Sequence, residues 1–353
     1  MTRIPCAILG AGGWIGQHFA RLLDSHPFFE VQVLTGDRNA GRTLRALWQL
    51  AELPPPRELE DLRLVRATAR ELADRGVRAV FSALPTEEAG PMEALLARSG
   101  IAVFSNASAH RMDRGVPLLV PEVNGAALGR PPRGRAPLVT NPNCSTAGLV
   151  LPLAPLQKLL APREVHVSTY QALSGAGYPG VPSLAVTDNL LPFIPQEEEK
   201  MAAESAKILG WPARGRRGSV DLLAHCLRVP VREGHLETVT VRAGRRVSAA
   251  EILESWKGFD PLTEGRSQGE LPTAPRVPVL FRSEPDRPQP LRDRWAGEPE
   301  RARGMAVTVG RLRVDGPFVR FVLLAHNAVR GGAGGSVLNA EYARWRGWLD
   351  ARD

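Results

Sequence analysis

The sequence predicts an α/β protein of two domains, a Rossmann-type parallel sheet followed by a second α+β domain with a largely antiparallel sheet. Three observations carry that expectation. A short apolar run ends in a glycine-rich turn that opens an amphipathic helix. Strand and helix patterns then alternate to about Asn143, and beyond it the strand patterns lengthen and alternate apolar with polar residues. A chain of 353 residues with 43% hydrophobic content also supplies enough apolar material for two cores.

Taken in order, Ile4–Leu9 has the length and apolarity of a strand, and Gly-Ala-Gly-Gly-Trp-Ile-Gly follows from Gly10 to Gly16. His-Phe-Ala-Arg-Leu-Leu continues at helical spacing, and Val31–Thr35 reads as the strand that closes a βαβ unit. In that setting Gly10, Gly12, Gly13 and Gly16, with Trp14 and Ile15 at the helix start, form a dinucleotide fingerprint. Its glycines make the tight turn and admit a pyrophosphate to the helix N-terminus. Ala79–Leu84 and Ile101–Phe104 are further strands, separated by a helix from Glu87 to Arg98.

Asn-Pro-Asn-Cys-Ser-Thr (141–146) precedes an apolar helical run, with Ser145 and Thr146 as N-cap residues and Pro152 limiting its regularity. Strands are expected at Leu227–Val231, Leu236–Arg242, Ala306–Val314 and Phe318–Ala325. Gly258–Arg303, rich in Pro, Gly and charge, reads as an extended crossing segment or subunit-contact loop. The C-terminal Gly-Gly-Ala-Gly-Gly run feeds an amphipathic helix that returns to the first domain. The expected division is 1–143 with 331–353 for the dinucleotide domain and 144–330 for the second.

Composition excludes several classes. Cys6, Cys144 and Cys226 are scattered and lack metal-ligand spacing, so neither a disulfide framework nor a metal site is expected, and a reducing cytoplasm is. No segment has the apolar length of a membrane span. The formal charge of +8 comes from arginines interleaved with Asp and Glu, without a basic block, so no nucleic-acid partner is expected.

A cysteine at a helix N-terminus meets unpaired N–H groups and the positive end of the helix dipole, which favour the nucleophilic thiolate. Set after a dinucleotide domain, it points to acyl transfer onto sulfur coupled to hydride transfer. Such chemistry needs a partner for the proton, and His235 in the Gly-His turn between two strand patterns is the best placed histidine.

These segments carry a wider resemblance: Ser-Asn-Ala-Ser-Ala-His-Arg-Met (105–112), Pro-Glu-Val-Asn (121–124), the 141–146 run, Gln-Ala-Leu-Ser-Gly-Ala-Gly-Tyr-Pro-Gly-Val-Pro-Ser (171–183), 188–201, Arg-Val-Pro-Val-Arg-Glu-Gly-His (228–235), 286–290 and 326–342. Together they resemble the aspartate-semialdehyde dehydrogenase family, in the branch typical of archaea and fungi. The resemblance implies that Cys144 attacks the acyl phosphate of L-aspartyl phosphate and forms a thioester that NADPH reduces, while His235 takes and returns the proton. It implies that Gln171 orients the nucleophile or substrate, with oxyanion donors among the N–H groups of Asn143 to Ser145. Arg228 clamps the α-carboxylate, Glu197 meets the α-ammonium, and Lys200 and Arg111 with Asn106 hold the phosphate. Arg38, Asn39, Ser174, Gly175 and Asn327 join the glycine turn in binding NADP. A homodimer or homotetramer follows, with apolar surface on the second sheet as the interface.

Two positions depart from the family pattern: Gly12 replaces a threonine of the glycine turn, and Arg38-Asn39 stands for an Arg-Ser pair. Arg38 favours NADP, whereas Asp37 lies where an acidic residue favours the ribose of NAD. The nearest alternative is a malonyl-CoA or other acyl-CoA reductase, which uses the same cysteine logic with a different leaving group. A silent dinucleotide sensor needs neither Cys144 nor His235.

Overall fold

The structure, a computed structural model, describes residues 2–130 and 136–349. It divides into two compact units, one formed by residues 1–119, 126–142 and 332–353 and the other by 120–125 and 143–331.

The first unit holds a parallel sheet of strands β1 (Ile4–Leu9), β2 (Phe29–Leu34), β3 (Ala79–Ser82), β4 (Ala102–Ser105) and β5 (Leu138–Thr140), in the order β2-β1-β3-β4-β5. Its central strands are buried along their whole length, as expected when helices cover both faces. β3 and β4 carry the same tetrapeptide, Ala-Val-Phe-Ser, paired residue for residue. Phe81 and Phe104 therefore stack side by side at 5.7 Å, and Phe19 and Phe29 close on the same cluster. Val80 and Val103 point to the other face and meet Leu72 and Leu96 from the helices at 69–74 and 86–98. The C-terminal helix Gly334–Trp345 packs on β4 and on the helix Trp14–Leu23. β2 lies to one side of β1 and β3 to the other, so the order switches direction beside β1, where open α/β sheets bind ligands at their carboxyl ends.

The second unit is built on a mixed sheet of β6 (Glu164–Gln171), β7 (Asp221–Arg228), β8 (His235–Arg242), β9 (Val279–Arg282), β10 (Val307–Asp315) and β11 (Phe318–Ala325), in the order β7-β6-β8-β11-β10-β9. The pairings of β8 with β6 and β11, and of β10 with β11, are antiparallel, while the outer pairs β6–β7 and β9–β10 are parallel. Burial alternates along β6 and β8, so one face is covered and the other is open to solvent. The helices Cys144–Leu153 and Ala249–Lys257 cover the inner face, joined by the Trp256 indole, which donates to the Pro152 carbonyl at 2.9 Å.

Three expectations change. The strand expected at Leu227–Val231 ends at Arg228, because Pro230 has no N–H to give a ladder and the chain turns there. Gly258–Arg303 is more than a crossing segment, since it contributes the edge strand β9. The helix of the 141–146 run is capped by Asn143, whose side chain accepts from the Ser145 and Thr146 N–H groups, and not by Ser145 or Thr146.

Candidate active site

Sheet register assembles the polar residues of the second unit. β6 and β7 are parallel partners that end together at Gln171 and Arg228, and the neighbouring strand β8 begins at His235. The inner-face positions Thr169, Gln171, Cys226, Arg228, His235 and Glu237 thus gather at one end of the sheet, all of them buried. The Cys144 helix lies directly against this face. A side chain at Gly148 would come within 2.9 Å of the Ala325 Cβ, so only glycine allows so close an approach.

This seating brings Cys144 Sγ to 3.2 Å from His235 Nε2. The other ring nitrogen, Nδ1, accepts the backbone N–H of Ala172 at 3.0 Å. A nitrogen that accepts a hydrogen bond presents a lone pair, which leaves the imidazole hydrogen on Nε2, facing the sulfur. Burial pushes the His235 pKa well below the ordinary 6.5, and the Arg228 and His326 charges push it further in the same direction. The ring is therefore a neutral N–H donor with a fixed tautomer. The sequence reading has His235 take and return a proton; in this tautomer that proton would enter at Nδ1 and displace the Ala172 bond.

The backbone donors expected beside the cysteine are largely committed. Asn143 N–H donates to Glu204 at 2.6 Å, and the N–H groups of Ser145 and Thr146 donate to Asn143 Oδ1. Asn143 also uses its amide to grip both oxygens of Glu197, at 2.9 and 2.8 Å, and Gln171 Nε2 reaches the same carboxylate at 3.2 Å. Glu197 is thus tied by two neutral amides at the mouth of the nucleophile helix. It makes no ion pair with Lys200, which is in no ion pair among the described residues.

Arg228 is buried, donates to the Ala172 carbonyl at 2.8 Å, and has its pKa lowered by burial, against the opposing pull of Cys144 and Glu197. Gly175 lies over it: a Cβ there would meet Arg228 Nη1 at 2.6 Å and His235 Cε1 at 3.1 Å. Ser174 and Asn327, expected at the cofactor, surround the histidine turn, where Asn327 Oδ1 accepts from Gly234 N–H and its Nδ2 donates to Ser174 Oγ, both at 2.8 Å.

The first unit carries the remaining positions. Gly10 has φ +71°, and a Cβ there would strike the Ala83 carbonyl at 2.8 Å; at Gly16 it would lie 2.2 Å from the Gly10 carbonyl. The helix that starts at Trp14 has Gly13 as its N-cap and no side chain capping it, the setting in which a glycine turn admits an anion. Gly12 touches Asn39, whose amide nitrogen sits 2.8 Å from where a Cβ would be, while Asp37 and Arg38 are exposed. The two departures from the family pattern are therefore in contact. Arg111, buried, donates to the Asn106 carbonyl at 2.9 Å, and the Asn106 side chain accepts from Asn141 Nδ2 at 2.9 Å.

Three buried side-chain features beside these positions were not assigned from the sequence: the Asn143 cap, the Arg330–Glu122 pair and the Glu237 carboxyl. Asn143 had a signal, since Asn is a favoured N-cap. The buried pair Arg330–Glu122 and the buried carboxyl of Glu237 had none, because charged residues at inner positions violate the pattern by which those positions are found.

Family models and full-length relatives match the chain. Residues 5–130 match the family model "Semialdehyde dehydrogenase, NAD binding domain" and residues 153–330 match "Semialdehyde dehydrogenase, dimerisation domain". The chain is 43% identical to an aspartate-semialdehyde dehydrogenase of Archaeoglobus fulgidus, covering 96% of this chain and 97% of that protein. It is 36% identical to a malonyl-CoA reductase (NADP) of Metallosphaera sedula, covering 99% of each. Among solved structures, aspartate semialdehyde dehydrogenase with NADP from Candida albicans superposes with a TM-score of 0.83 at 31% identity, over 98% of this chain and all of that one.

Proposed function

The chain belongs to the semialdehyde dehydrogenase family, and from that premise we propose that it is an NADP-dependent, phosphorylating aspartate-semialdehyde dehydrogenase. It reduces L-aspartyl 4-phosphate to L-aspartate 4-semialdehyde through a thioester on Cys144, a step toward lysine, threonine and methionine. The observation that carries this reading is the Cys144–His235 contact of 3.2 Å beside the buried cation Arg228.

The sulfur, held at the helix N-terminus against an N–H donor, attacks the acyl carbon; phosphate departs with the C–O bond electrons and takes up a proton from solvent, and a thioester remains. The His235 N–H, 3.2 Å from that sulfur, stabilises the oxyanion of each tetrahedral intermediate. The dinucleotide, when bound, supplies the hydride that reduces the thioester. The resulting alkoxide collapses, releases the aldehyde and returns the sulfur as thiolate, so His235 need not lose or gain a proton. Arg228 matches the substrate α-carboxylate as a two-pronged donor, and Glu197, oriented by Asn143 and Gln171, is the anion for the α-ammonium. We assign Lys200, Arg111 and Asn106 to the phosphate.

The glycine turn fits a dinucleotide, because at Gly10 and Gly16 any side chain would strike backbone and the adjoining helix N-terminus lacks a cap. Gly10, Gly12, Gly13, Trp14, Ile15 and Gly16 hold the pyrophosphate, and Arg38 with Asn39 holds the ribose phosphate of NADP. Residues 1–143 with 331–353 form the dinucleotide domain, and 144–330 the catalytic and dimerisation domain. The match to a dimerisation domain supports a homodimer, or a homotetramer built from it, through the open face of the mixed sheet. Three free cysteines accord with the cytoplasm.

The malonyl-CoA reductase relative favours a second reading, a coenzyme A thioester reduced by the same cysteine chemistry. NADP reduction with L-aspartate semialdehyde, with and without phosphate, beside NADPH oxidation with malonyl-CoA, separates the two. Strict phosphate dependence without malonyl-CoA turnover is expected. Turnover of malonyl-CoA alone would overturn the first reading.

A further inference from the structure

We propose that Arg330 and Glu122 are a positioning pair that sets the separation of Cys144 and His235; the proposal rests on those two being the reacting groups. Arg330 Nη2 lies 2.6 Å from Glu122 Oε1, with the two residues only 2% and 3% exposed. A second arm, Nε, donates to the Met305 carbonyl at 2.6 Å. A buried ion pair adds little net stability over a well-packed apolar pair, so its energetics alone do not explain these residues. Their place in the chain does.

The segment His326–Gly331 touches both reacting groups. Near its start, Asn327 Oδ1 holds Gly234 N–H at 2.8 Å, which fixes the turn that delivers His235. At its end, Gly331 rests against the nucleophile: a Cβ there would be 2.6 Å from both Cα and Cβ of Cys144. Gly331 N–H donates back to the His326 carbonyl at 3.1 Å, closing the segment on itself. One short stretch is therefore a spacer between the histidine turn and the cysteine backbone. Arg330 is its anchor, tied by a rigid two-direction fork to the turn Pro121–Asn124 and to Met305. Lysine has the charge without the fork and cannot fix both directions at once. If the anchor slips, the 3.2 Å contact opens and the sulfur loses its donor.

The test uses the full chain with Arg330→Lys, Glu122→Gln and, as a reference, Arg228→Lys. Three quantities are read: kcat and KM, the pH profile of Cys144 alkylation by iodoacetamide, and thermal unfolding. Arg330→Lys is expected to lower kcat by about 10- to 100-fold, the cost of misplacing reacting groups by a fraction of an ångström to one ångström, with little change in KM. Its alkylation inflection should move to higher pH, since the thiolate has lost its N–H donor. Glu122→Gln should act in the same direction, whereas Arg228→Lys should raise KM. A lowered Tm with kcat and the alkylation profile unchanged, measured well below unfolding, would overturn the proposal and leave the pair merely structural. Should Arg330→Lys not fold, Glu122→Gln decides on the same two readouts. Cys144→Ser retaining turnover would instead sink the reading of the site, and the alkylation profile, which needs no turnover, would still report on the anchor.

Discussion

At the scale of single residues, the behaviour of His235 follows from one backbone hydrogen bond. With Ala172 N–H on Nδ1, the ring donates from Nε2, and burial disfavours its charged form. Two outcomes are expected. His235→Gln, which keeps an N–H donor but carries no proton, should retain more kcat than His235→Ala, whose loss should be of the size of a missing oxyanion donor, about 10²- to 10³-fold. Equal losses would restore the proton-carrier role. Once the limb set by Cys144 ionisation is identified from its alkylation profile, the limb of kcat/KM that belongs to the histidine should fall below pH 6.5, because its pKa is lowered and the neutral ring is the working form; a histidine limb above that value would contradict the neutral ring. Glu237 behaves with the opposite sign. Burial, and then the charge of Glu197, raises its pKa well above 4.5, so the folded protein holds it protonated where the unfolded chain would ionise it. Relative to Glu237→Gln, wild-type stability is complete below pH 4.5 and declines as pH rises through the shifted pKa. The Tm difference should therefore move in favour of the variant between acid and neutral pH, and a difference constant with pH would refute the shift. The pairing of Cys144 with His235 was legible because both are rare residue types in telling contexts, and the structure sets them 3.2 Å apart. The tautomer was not, because it depends on Ala172, a residue whose side chain says nothing.

At the scale of elements, the glycine turn was read correctly because its reasons are local: a positive φ at Gly10 and a helix packed against the turn at Gly16. Gly16→Ala should abolish NADPH binding, measured by fluorescence titration. Gly12 has a longer-range reason, the Asn39 amide lying against it. Gly12→Ala should weaken NADPH binding by about tenfold, or 1.4 kcal/mol, and Asn39→Ser in the same background should recover most of that; simple additivity of the two effects would show that the residues act independently. Strands were legible where apolar runs were unbroken, as in β1, β3 and β4. β6 was missed because two of its inward positions are the polar Thr169 and Gln171, which break the alternation, and β9 because it lies in a proline-rich stretch that is recruited only by pairing with β10. Tertiary pairing, not local propensity, makes those strands.

At the scale of the whole molecule, the open face of the mixed sheet exposes Leu223 on β7 and Phe318 on β11, at 49% and 41%. Leu223→Glu should shift the protein toward monomer in sedimentation velocity, and an unchanged sedimentation coefficient would exclude that face as the interface. The division into units carries a consequence for synthesis. The first unit ends with the helix Gly334–Trp345, and Glu341 of that helix bonds the buried His26 at 3.0 Å across 315 residues of sequence. On the ribosome, β1 to β4 emerge before this helix and wait for it until the second unit has been translated. The second unit, whose last strand is β11, has all of its residues by Gly331. The domain begun first is thus the one finished last, and the nascent chain has the residues for its thiol chemistry in place before the scaffold for its reductant is closed.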